Sequence, residues 1–260
     1  MTVREALAEA ERRLAAAGVE TPRADAEWLV AHVLETTRSG LAARADDEVD
    51  GLEPLLRRRE AREPLAYVLG EWGFRRLTLK TDARALVPRP ETETLVERAL
   101  ALAAEIERPR ILDVGVGSGA IALSLKDERP EAEVVGVDLS ADALALAREN
   151  AERLGLEVEL RQREGAEAAA EGWDLVVANP PYVDGLAGLQ PELRWEPEIA
   201  LVGSGEHDRL ARAADARFLV LEAGDGQASE VAASLAAAGW VGIRITRDLT
   251  GMERVVEGTR

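Results

Sequence analysis

Apolar positions in the first 70 residues repeat with the spacing of one helix face. Leu7 and Leu14 lie two helical turns apart, and the preceding segment Thr2-Val3-Arg4-Glu5 has capping-box spacing, in which two side chains satisfy free backbone N–H groups. Thr21-Pro22 predicts the start of a second helix, because a capping residue precedes a proline whose missing N–H is tolerated in the first turn. We therefore predict a small helical domain over residues 1–70.

The segment 71–90 has the pattern of a connector. Phe74, Leu77 and Leu79 are interspersed with charged and polar residues, which is typical of an antiparallel hairpin. A long helical run then begins at Glu91 and extends to about Ala104. We expect the hairpin and this helix to lead into a second, larger domain over residues 91–260.

Short apolar or β-branched runs alternate with helical stretches through the rest of the chain. Repeated strand–helix–strand units with apolar strands indicate a parallel sheet that helices cover on both faces. The fold class predicted is therefore α/β with a Rossmann-like sheet. The predicted strands are 111–114, 134–138, 158–160, 175–178 and 218–222, with two closing strands at 241–245 and 254–256.

Composition and charge narrow the choice of function. Hydrophobic residues make up 47% and charged residues 31% of the 260, which is globular usage, and no window approaches the roughly 18 apolar residues of a membrane helix. Acidic residues number 49 against 32 basic ones, and the resulting charge of −17 repels polyphosphates. We expect no membrane association and no direct binding of nucleic acid.

Reactive side chains are scarce. The chain has no cysteine, which excludes disulfides and thiolate chemistry. His32 and His207 are far apart and lack ligand spacing, so we predict no metal site. The first residues, Met1 to Glu5, run straight into a helical pattern without the features of a signal peptide, and we expect a cytoplasmic protein.

The first candidate site follows the first strand of the predicted sheet. The run Asp113–Gly119 reads Asp-Val-Gly-Val-Gly-Ser-Gly, and glycines at alternate positions permit a tight turn and close approach of a ligand to the backbone. A glycine-rich turn without a ligand is the alternative, and the spacing differs from the Gly-x-Gly-x-x-Gly of nicotinamide-binding folds. The residues predicted to bind a cofactor here are Asp113, Gly115, Val116, Gly117, Ser118 and Gly119.

Asp138 is the second candidate, because it ends the second strand of the same sheet. A carboxylate at that position accepts hydrogen bonds from both hydroxyls of a ribose, which is how such sheets hold a nucleoside. The alternative is an exposed helix N-cap before Ser140. Together with the glycine loop, Asp138 favours the nucleoside site.

The third candidate is the tetrapeptide Asn179-Pro180-Pro181-Tyr182, which follows the fourth strand. Two prolines neither extend the sheet nor start a helix, so their carbonyls stay free as acceptors on a rigid backbone. Asn179 adds a carbonyl acceptor and Tyr182 a flat face with a hydroxyl. An ordinary Asn-Pro turn is the alternative. The position of the tetrapeptide beside the other two motifs favours a site for a planar NH2 group.

With these motifs, the chain resembles class I methyltransferases that carry Asn-Pro-Pro-Tyr, and specifically the release factor glutamine methyltransferases of the PrmC/HemK family. The resemblance covers nearly the whole chain and includes the helical N-terminal domain, Leu86–Glu93, Glu196-Pro197 and Glu253–Val256. It implies methylation of the glutamine amide (N5) in the Gly-Gly-Gln motif of peptide chain release factors, with S-adenosylmethionine as the methyl donor.

The resemblance also implies roles for individual residues. Gly115 to Gly119 would hold the methionine part of the cofactor, Asp138 the ribose, and the Glu164-Gly165 region the adenine. Asn179 and the Pro180 carbonyl would hold the substrate amide, with Tyr182 packed nearby.

Other functions stay open from the residues alone. An enzyme that methylates an exocyclic amine of adenine or guanine uses the same tetrapeptide, although the net charge disfavours a nucleic-acid substrate. A binding module that has lost catalysis is disfavoured by the intact Asn179–Tyr182 motif. A nicotinamide dehydrogenase has no use for that motif, and its loop spacing differs.

Overall fold

The computed structural model describes residues 1–183, 185 and 188–260. The chain forms two compact units, of which the first comprises Met1–Glu71 together with Leu189–Trp195. The second comprises Trp72–Gly188 and Glu196–Arg260. The sequence places a boundary near residue 70, but nothing in its pattern indicates that the short segment 189–195 joins the N-terminal unit.

The first unit is helical, as its pattern predicts. Its longest helix begins with the expected capping box, because the Thr2 hydroxyl accepts from the Glu5 N–H and the Glu5 carboxylate accepts from the Thr2 N–H at 2.9 Å. Pro22 opens the next helix. The elements are α1 (Val3–Ala16), α2 (Pro22–Val33), α3 (Leu52–Glu60), α4 (Leu65–Leu69) and the 3-10 helices Arg38–Arg44 and Pro191–Trp195.

A buried ion-pair network holds Leu189–Trp195 within this unit. Arg59 Nε donates to the Asp25 carboxylate at 2.7 Å, and Arg59 Nη2 donates to Glu192 at 2.8 Å. Arg62 Nε donates to the same Glu192 carboxylate at 2.6 Å. The 3-10 helix that carries Glu192 contains no buried residue, so paired charges rather than apolar packing anchor the segment.

The larger unit contains a two-stranded hairpin and a seven-stranded sheet that is mostly parallel. The strands are β1 (Glu71–Phe74), β2 (Leu77–Lys80), β3 (Arg110–Val114), β4 (Glu133–Asp138), β5 (Glu159–Gln162), β6 (Trp173–Ala178), β7 (Ala216–Glu222), β8 (Val241–Arg247) and β9 (Glu253–Thr259). The order of the seven strands among the described residues is β5-β4-β3-β6-β7-β9-β8, and β9 runs antiparallel to both of its neighbours, β7 and β8. The predicted α/β fold is confirmed.

Helices cover both faces of the seven-stranded sheet. They are α5 (Thr92–Ala103), α6 (Ala120–Glu128), α7 (Ala141–Leu154), α8 (Gly165–Ala169), α9 (Glu198–Leu201), α10 (Glu206–Ala213) and α11 (Ala228–Ala237). Successive residues of a strand point to opposite faces, so Ile111 packs in one apolar cluster with residues of α5, α6 and α7, and Leu112 packs in another with residues of α8, α10 and α11.

Strand order reverses between β3 and β6, the central pair of the sheet. The chain adds β4 and β5 on one side of β3 and then returns to β6 and β7 on the other. Ligands of open α/β sheets bind beyond the carboxyl ends of the strands at such a reversal. The parallel strands β3, β4 and β6 end at Val114, Asp138 and Ala178, and the three candidate motifs lie at these ends or directly after them.

Candidate active site

A cavity of about 330 Å³ opens at this edge of the sheet. Its wall contains most of the candidate residues, from the glycine loop, from the end of β4, from the start of α8 and from the residues after β6. Those that line it are Gly115, Val116, Gly117, Ser118, Asp138, Glu164, Gly165, Asn179, Pro180 and Pro181. Asp113, Gly119 and Tyr182 do not line it.

The glycine loop has the backbone that its sequence requires. Gly115, Gly117 and Gly119 have φ angles of +75°, +55° and +88°, a region that residues with a Cβ rarely adopt. The Gly115 N–H donates to the Val137 carbonyl at 2.9 Å, so the loop is tied to β4. These contacts shape a concave backbone surface that faces the cavity.

Asp113 lies behind this loop, which differs from the predicted cofactor contact. Its side chain is fully buried on the face that α6 covers, and one carboxylate oxygen accepts from the Ala122 N–H at 3.0 Å. Burial raises the pKa of Asp113 to about 7. The side chain therefore fastens the end of β3 to α6 and supports the loop from the side away from the cavity.

Two glycines at the helix starts allow close packing. A Cβ on Gly119 would lie 2.8 Å from a methyl group of Leu123, one turn into α6. A Cβ on Gly165 would collide with the Val114 side chain at the end of β3. Gly119 thus acts in the packing of α6, whereas Gly165 brings the start of α8 close enough to form part of the wall.

Asp138 meets the loop directly. Its two carboxylate oxygens accept from the Gly117 N–H at 3.0 Å and from the Ser140 N–H at 2.9 Å. The N-cap of α7 is Ser140, whose hydroxyl accepts from Ala143. The alternative that Asp138 caps the helix is therefore wrong. Each carboxylate oxygen has a second lone pair, which leaves Asp138 able to accept hydroxyl donors from the cavity.

We expect Asp138→Ala to weaken S-adenosylmethionine binding by roughly 1.5–3 kcal/mol, or one to two decades, because charge-assisted bonds to hydroxyls are lost. Calorimetric titration measures the change. Asp142→Ala removes an exposed carboxylate from the first turn of the same helix and serves as the matched control. Equal affinities for the two variants would remove Asp138 from the cofactor site.

Glu164 directly precedes α8 and lines the cavity. One carboxylate oxygen accepts from the Glu167 N–H at 2.8 Å as the helix N-cap, and the other accepts from Arg209 at 2.8 Å. The ion pair is half exposed, so it adds little stability. Its place on the wall is consistent with the adenine region that the resemblance implies.

The first three residues of the tetrapeptide after β6 line the cavity, and the fourth packs behind it. Asn179, Pro180 and Pro181 line the cavity, and Asn179 Nδ2 donates to the Thr92 hydroxyl at 3.3 Å. Tyr182 is turned away, and its ring packs so closely on Gly224 that a Cβ there would lie 2.7 Å from it. Burial raises the pKa of Tyr182. Tyr182 therefore anchors the loop rather than forming the cavity wall.

The segment before α5 forms another part of the wall, which the sequence did not identify as a site. Val87 and Arg89 line the cavity, and both are held by Glu196. The buried Glu196 carboxylate accepts from the Val87 N–H at 3.0 Å and forms a short ion pair with Arg89. Burial raises the pKa of Glu196. Glu196 and Val87 both lie in segments that carried the family resemblance, which was the only available signal.

The sequence analysis also did not identify Glu222 as a residue near the site. It is 1% exposed at the end of β7, and its Oε2 atom has no hydrogen-bond partner. Burial raises the pKa of Glu222 to about 7. The available signal was an acidic residue that directly ends the apolar run Phe218–Leu221.

The described residues hold neither a metal-binding cluster nor a membrane-spanning helix. No group of three or more His, Cys, Asp or Glu side chains there is arranged to hold a metal ion. No helix in that part of the chain has both the length and the apolar character needed to cross a membrane. His207, one of the two histidines, has its ring Nε2 within 2.7 Å of the Glu222 carbonyl oxygen, and burial lowers its pKa.

Two family profiles match the chain. The PrmC N-terminal domain matches residues 5–70, and the methyltransferase small domain matches residues 92–196. The second match includes the glycine loop, Asp138 and the Asn179–Tyr182 motif.

Solved methyltransferase structures share the fold. The catalytic domain of hMettl16, in complex with a MAT2A 3'UTR hairpin, superposes with a TM-score of 0.55 at 13% identity, over 70% of this chain and 74% of that one. The T. thermophilus 16S rRNA methyltransferase RsmC, in complex with AdoMet and guanosine, gives a TM-score of 0.51 at 19% identity, over 73% and 49%. At these identities the comparison supports the fold alone.

Relatives with much higher identity cover all or nearly all of the chain. The release factor glutamine methyltransferase of Deinococcus radiodurans is 41% identical and covers 100% of this chain and 99% of its own length. The protein of the same name from Rhodospirillum rubrum is 42% identical, over 95% of this chain and 82% of its own. The chain therefore belongs to the release factor glutamine methyltransferases, a family of S-adenosylmethionine-dependent enzymes.

Proposed function

We propose that this enzyme transfers a methyl group from S-adenosylmethionine to the side-chain amide nitrogen of the glutamine in the Gly-Gly-Gln motif of peptide chain release factors. The observation that carries the proposal is the cavity wall, on which the acceptors of Asn179 and Pro180 lie together with the glycine loop and Asp138. The cavity can thus hold a nucleoside-bearing cofactor beside a planar NH2 group.

The cavity wall fits the cofactor. Gly115 to Ser118 offer a close backbone surface for its methionine part, Asp138 offers acceptors for the ribose hydroxyls, and Glu164 with Gly165 borders the adenine region. S-adenosylmethionine supplies a methyl group made electrophilic by its attachment to a positively charged sulfur. The residues of the chain then have to orient the substrate nitrogen, and orientation contributes much of the rate enhancement.

Asn179 and Pro180 compensate for the low nucleophilicity of the substrate amide. The amide lone pair is delocalised, and positive charge develops on the nitrogen as it forms its bond to the methyl carbon. Carbonyl oxygens fixed on the two N–H groups stabilise that charge most in the transition state. Pro180-Pro181 holds one acceptor on a rigid backbone. One N–H proton leaves to water after transfer, and no general base is assigned.

Charge distribution supports a protein acceptor rather than nucleic acid. The longest arginine run, Arg57-Arg58-Arg59, is neutralised within the first unit. Arg57 pairs with Glu53, Arg58 with Glu63, and Arg59 with Asp25 and Glu192. The net charge of −17 disfavours binding of RNA or DNA, because such binding requires an electropositive groove.

Methyl-labelled S-adenosylmethionine tests the acceptor directly. We expect label on release factor and none on ribosomal RNA, transfer RNA or DNA offered separately. Replacing the Gln of Gly-Gly-Gln in the release factor should abolish incorporation, because the acceptors of Asn179 and Pro180 require a terminal NH2. Label on nucleic acid, with none on release factor, would contradict the glutamine assignment while leaving methyl transfer itself intact.

A further inference from the structure

Most of the large apolar side chains that stay exposed on the larger unit lie at one edge of its sheet. Leu139 and Ile199 line the cavity, where a bound ligand can cover them. Leu249 and Met252 do not line it, although Leu249 is fully exposed and Met252 is 41% exposed. Val241 is the fifth such side chain among the described residues of this unit. The ligands of the cavity therefore leave Leu249 and Met252 uncovered.

The turn Asp248–Met252, which carries these two side chains, joins β8 to β9. β9 runs antiparallel to β7, and Val255 near its start pairs with Glu222, the last residue of β7. The start of β9 and the end of β7 therefore lie together. β7 is parallel to β6, whose end leads into Asn179. The β8–β9 turn thus lies at the same edge of the sheet as the proposed acceptor Asn179.

A buried carboxylate fixes the shape of the β8–β9 turn. The Asp248 side chain is 3% exposed, and its Oδ1 atom accepts from the Thr250 N–H at 2.9 Å and from the Thr250 hydroxyl at 2.6 Å. The same atom accepts from the Met252 N–H at 3.1 Å, and Oδ2 accepts from Arg254 Nε at 3.2 Å. A preformed turn of this kind loses little conformational entropy when a partner covers Leu249.

The base of the turn is joined to the loop that Tyr182 anchors. Arg254 Nη1 donates to the Ala223 carbonyl at 3.1 Å, and the Ala223 N–H donates to the Arg254 carbonyl at 2.8 Å. Gly224 follows Ala223, and the Tyr182 ring packs on it. The turn is thus held in a fixed position relative to the Asn179–Tyr182 motif.

The β8–β9 turn and its flanks are electrically neutral, although the chain carries a net charge of −17. Residues 247–254 contain two positive and two negative side chains. These pair with each other, because Arg247 Nη2 donates to Glu253 at 2.6 Å and Arg254 pairs with Asp248. A neutral surface with exposed apolar side chains suits an apolar patch on a protein, whereas it offers a polyphosphate no free cation.

We propose that the β8–β9 turn is a docking surface for the folded acceptor protein, with Leu249 and Met252 buried against an apolar patch beside its Gly-Gly-Gln loop. The cavity takes the glutamine side chain, but the protein that carries this loop extends past the cavity and lies against the surface around it. The turn supplies an uncovered apolar part of that surface. The inference rests on the proposed function, because the occupant is the release factor named there.

Leu249→Ser tests the docking through the KM for release factor. We expect KM to rise roughly tenfold or more, because the serine loses the burial of an apolar side chain in the complex. The kcat at saturation and the calorimetric affinity for S-adenosylmethionine should be unchanged. Leu249→Met keeps an apolar side chain of similar volume, and its KM should stay within about threefold of that of the unmodified enzyme.

Val241→Ser is the matched control. Val241 is an apolar residue of β8 that is 62% exposed, but it pairs with Thr259 at the opposite end of the sheet. Its replacement should leave the KM for release factor unchanged. Equal KM values for Leu249→Ser and Val241→Ser would overturn the proposal.

The absence of cysteine from the chain permits a direct footprint. Leu249→Cys introduces a single thiol, and mass spectrometry of the enzyme measures its rate of alkylation by a maleimide. Saturating release factor, with S-adenosylhomocysteine in the cavity, should slow this rate about tenfold or more, because the core of an interface excludes solvent. Val241→Cys should react equally fast with and without release factor. Undiminished alkylation of Leu249→Cys in the complex would contradict the docking.

The outcomes separate this docking surface from the proposed function. If the unmodified enzyme transfers no label to release factor, the proposed function fails, and this occupant fails with it. If the unmodified enzyme methylates release factor and Leu249→Ser has an unchanged KM, only the docking surface fails. If the enzyme alone sediments as a dimer that Leu249→Ser dissociates, the turn binds a second copy of the chain, and the proposal is overturned.

Discussion

Asn179→Ala should lower kcat toward release factor by about a hundredfold or more while leaving the affinity for S-adenosylmethionine nearly unchanged. The side chain supplies a preorganised acceptor whose contribution grows as charge develops on the substrate nitrogen. Its one described hydrogen bond is to Thr92, so its loss removes no link between the glycine loop and β4.

Single-turnover kinetics with labelled cofactor measure the effect of Asn179→Ala on chemistry, and calorimetry measures binding. The Asp138→Ala variant gives the opposite pattern and serves as the comparison, because it weakens binding of the cofactor. Turnover of Asn179→Ala within a few-fold of the unmodified enzyme would exclude the acceptor role.

Arg59→Met should destabilise the first unit by about 3–5 kcal/mol, since removing one partner of a buried ion pair leaves charge without compensation. Asp25 and Arg59 side chains are each 7% exposed, and Glu192 is 16% exposed. The substitution leaves both carboxylates in place without Arg59, although Glu192 keeps Arg62. Urea unfolding followed by circular dichroism measures the free energy of unfolding.

Arg57→Met is the matched control for this measurement. Arg57 lies on the same helix as Arg59, but its side chain is 74% exposed and that of its partner Glu53 is 50% exposed. An exposed pair of this kind contributes about 0–1 kcal/mol. Similar losses for the two methionine variants would show that burial of the Arg59 network is energetically unimportant.

Local signals in the sequence were enough for most of the fold. The capping box at Thr2 marks one helix start through contacts within one turn, and Pro22 marks another because its ring fixes φ and its missing N–H is tolerated there, so both starts can be predicted from neighbouring residues. The apolar strands are equally legible, because burial on both faces demands runs such as Leu175–Ala178. The three site motifs could also be recognised, since each lies at the end of a predicted strand or directly after it.

The sequence could not predict the roles of residues whose partners lie far away along the chain. Asp113 belongs to the glycine motif, yet packing against α6 turns its carboxylate away from the cavity. Thr92 and Asn179 meet across 87 positions of the chain, and the register of β6 and β7 brings Glu222 beside them. No periodicity or spacing records such contacts, because they arise from tertiary packing.

The anchoring of Leu189–Trp195 in the N-terminal unit has a consequence for synthesis on the ribosome. Glu192 follows Arg59 by 133 positions, so α1 to α4 are translated long before this ion-pair partner exists. During that interval Arg59 has only one of its two carboxylate partners, Asp25, and the small unit remains incomplete while β3 to β6 are being made. Domains usually mature in the order in which they emerge. Here the first unit to emerge reaches its final form only after much of the second has been translated.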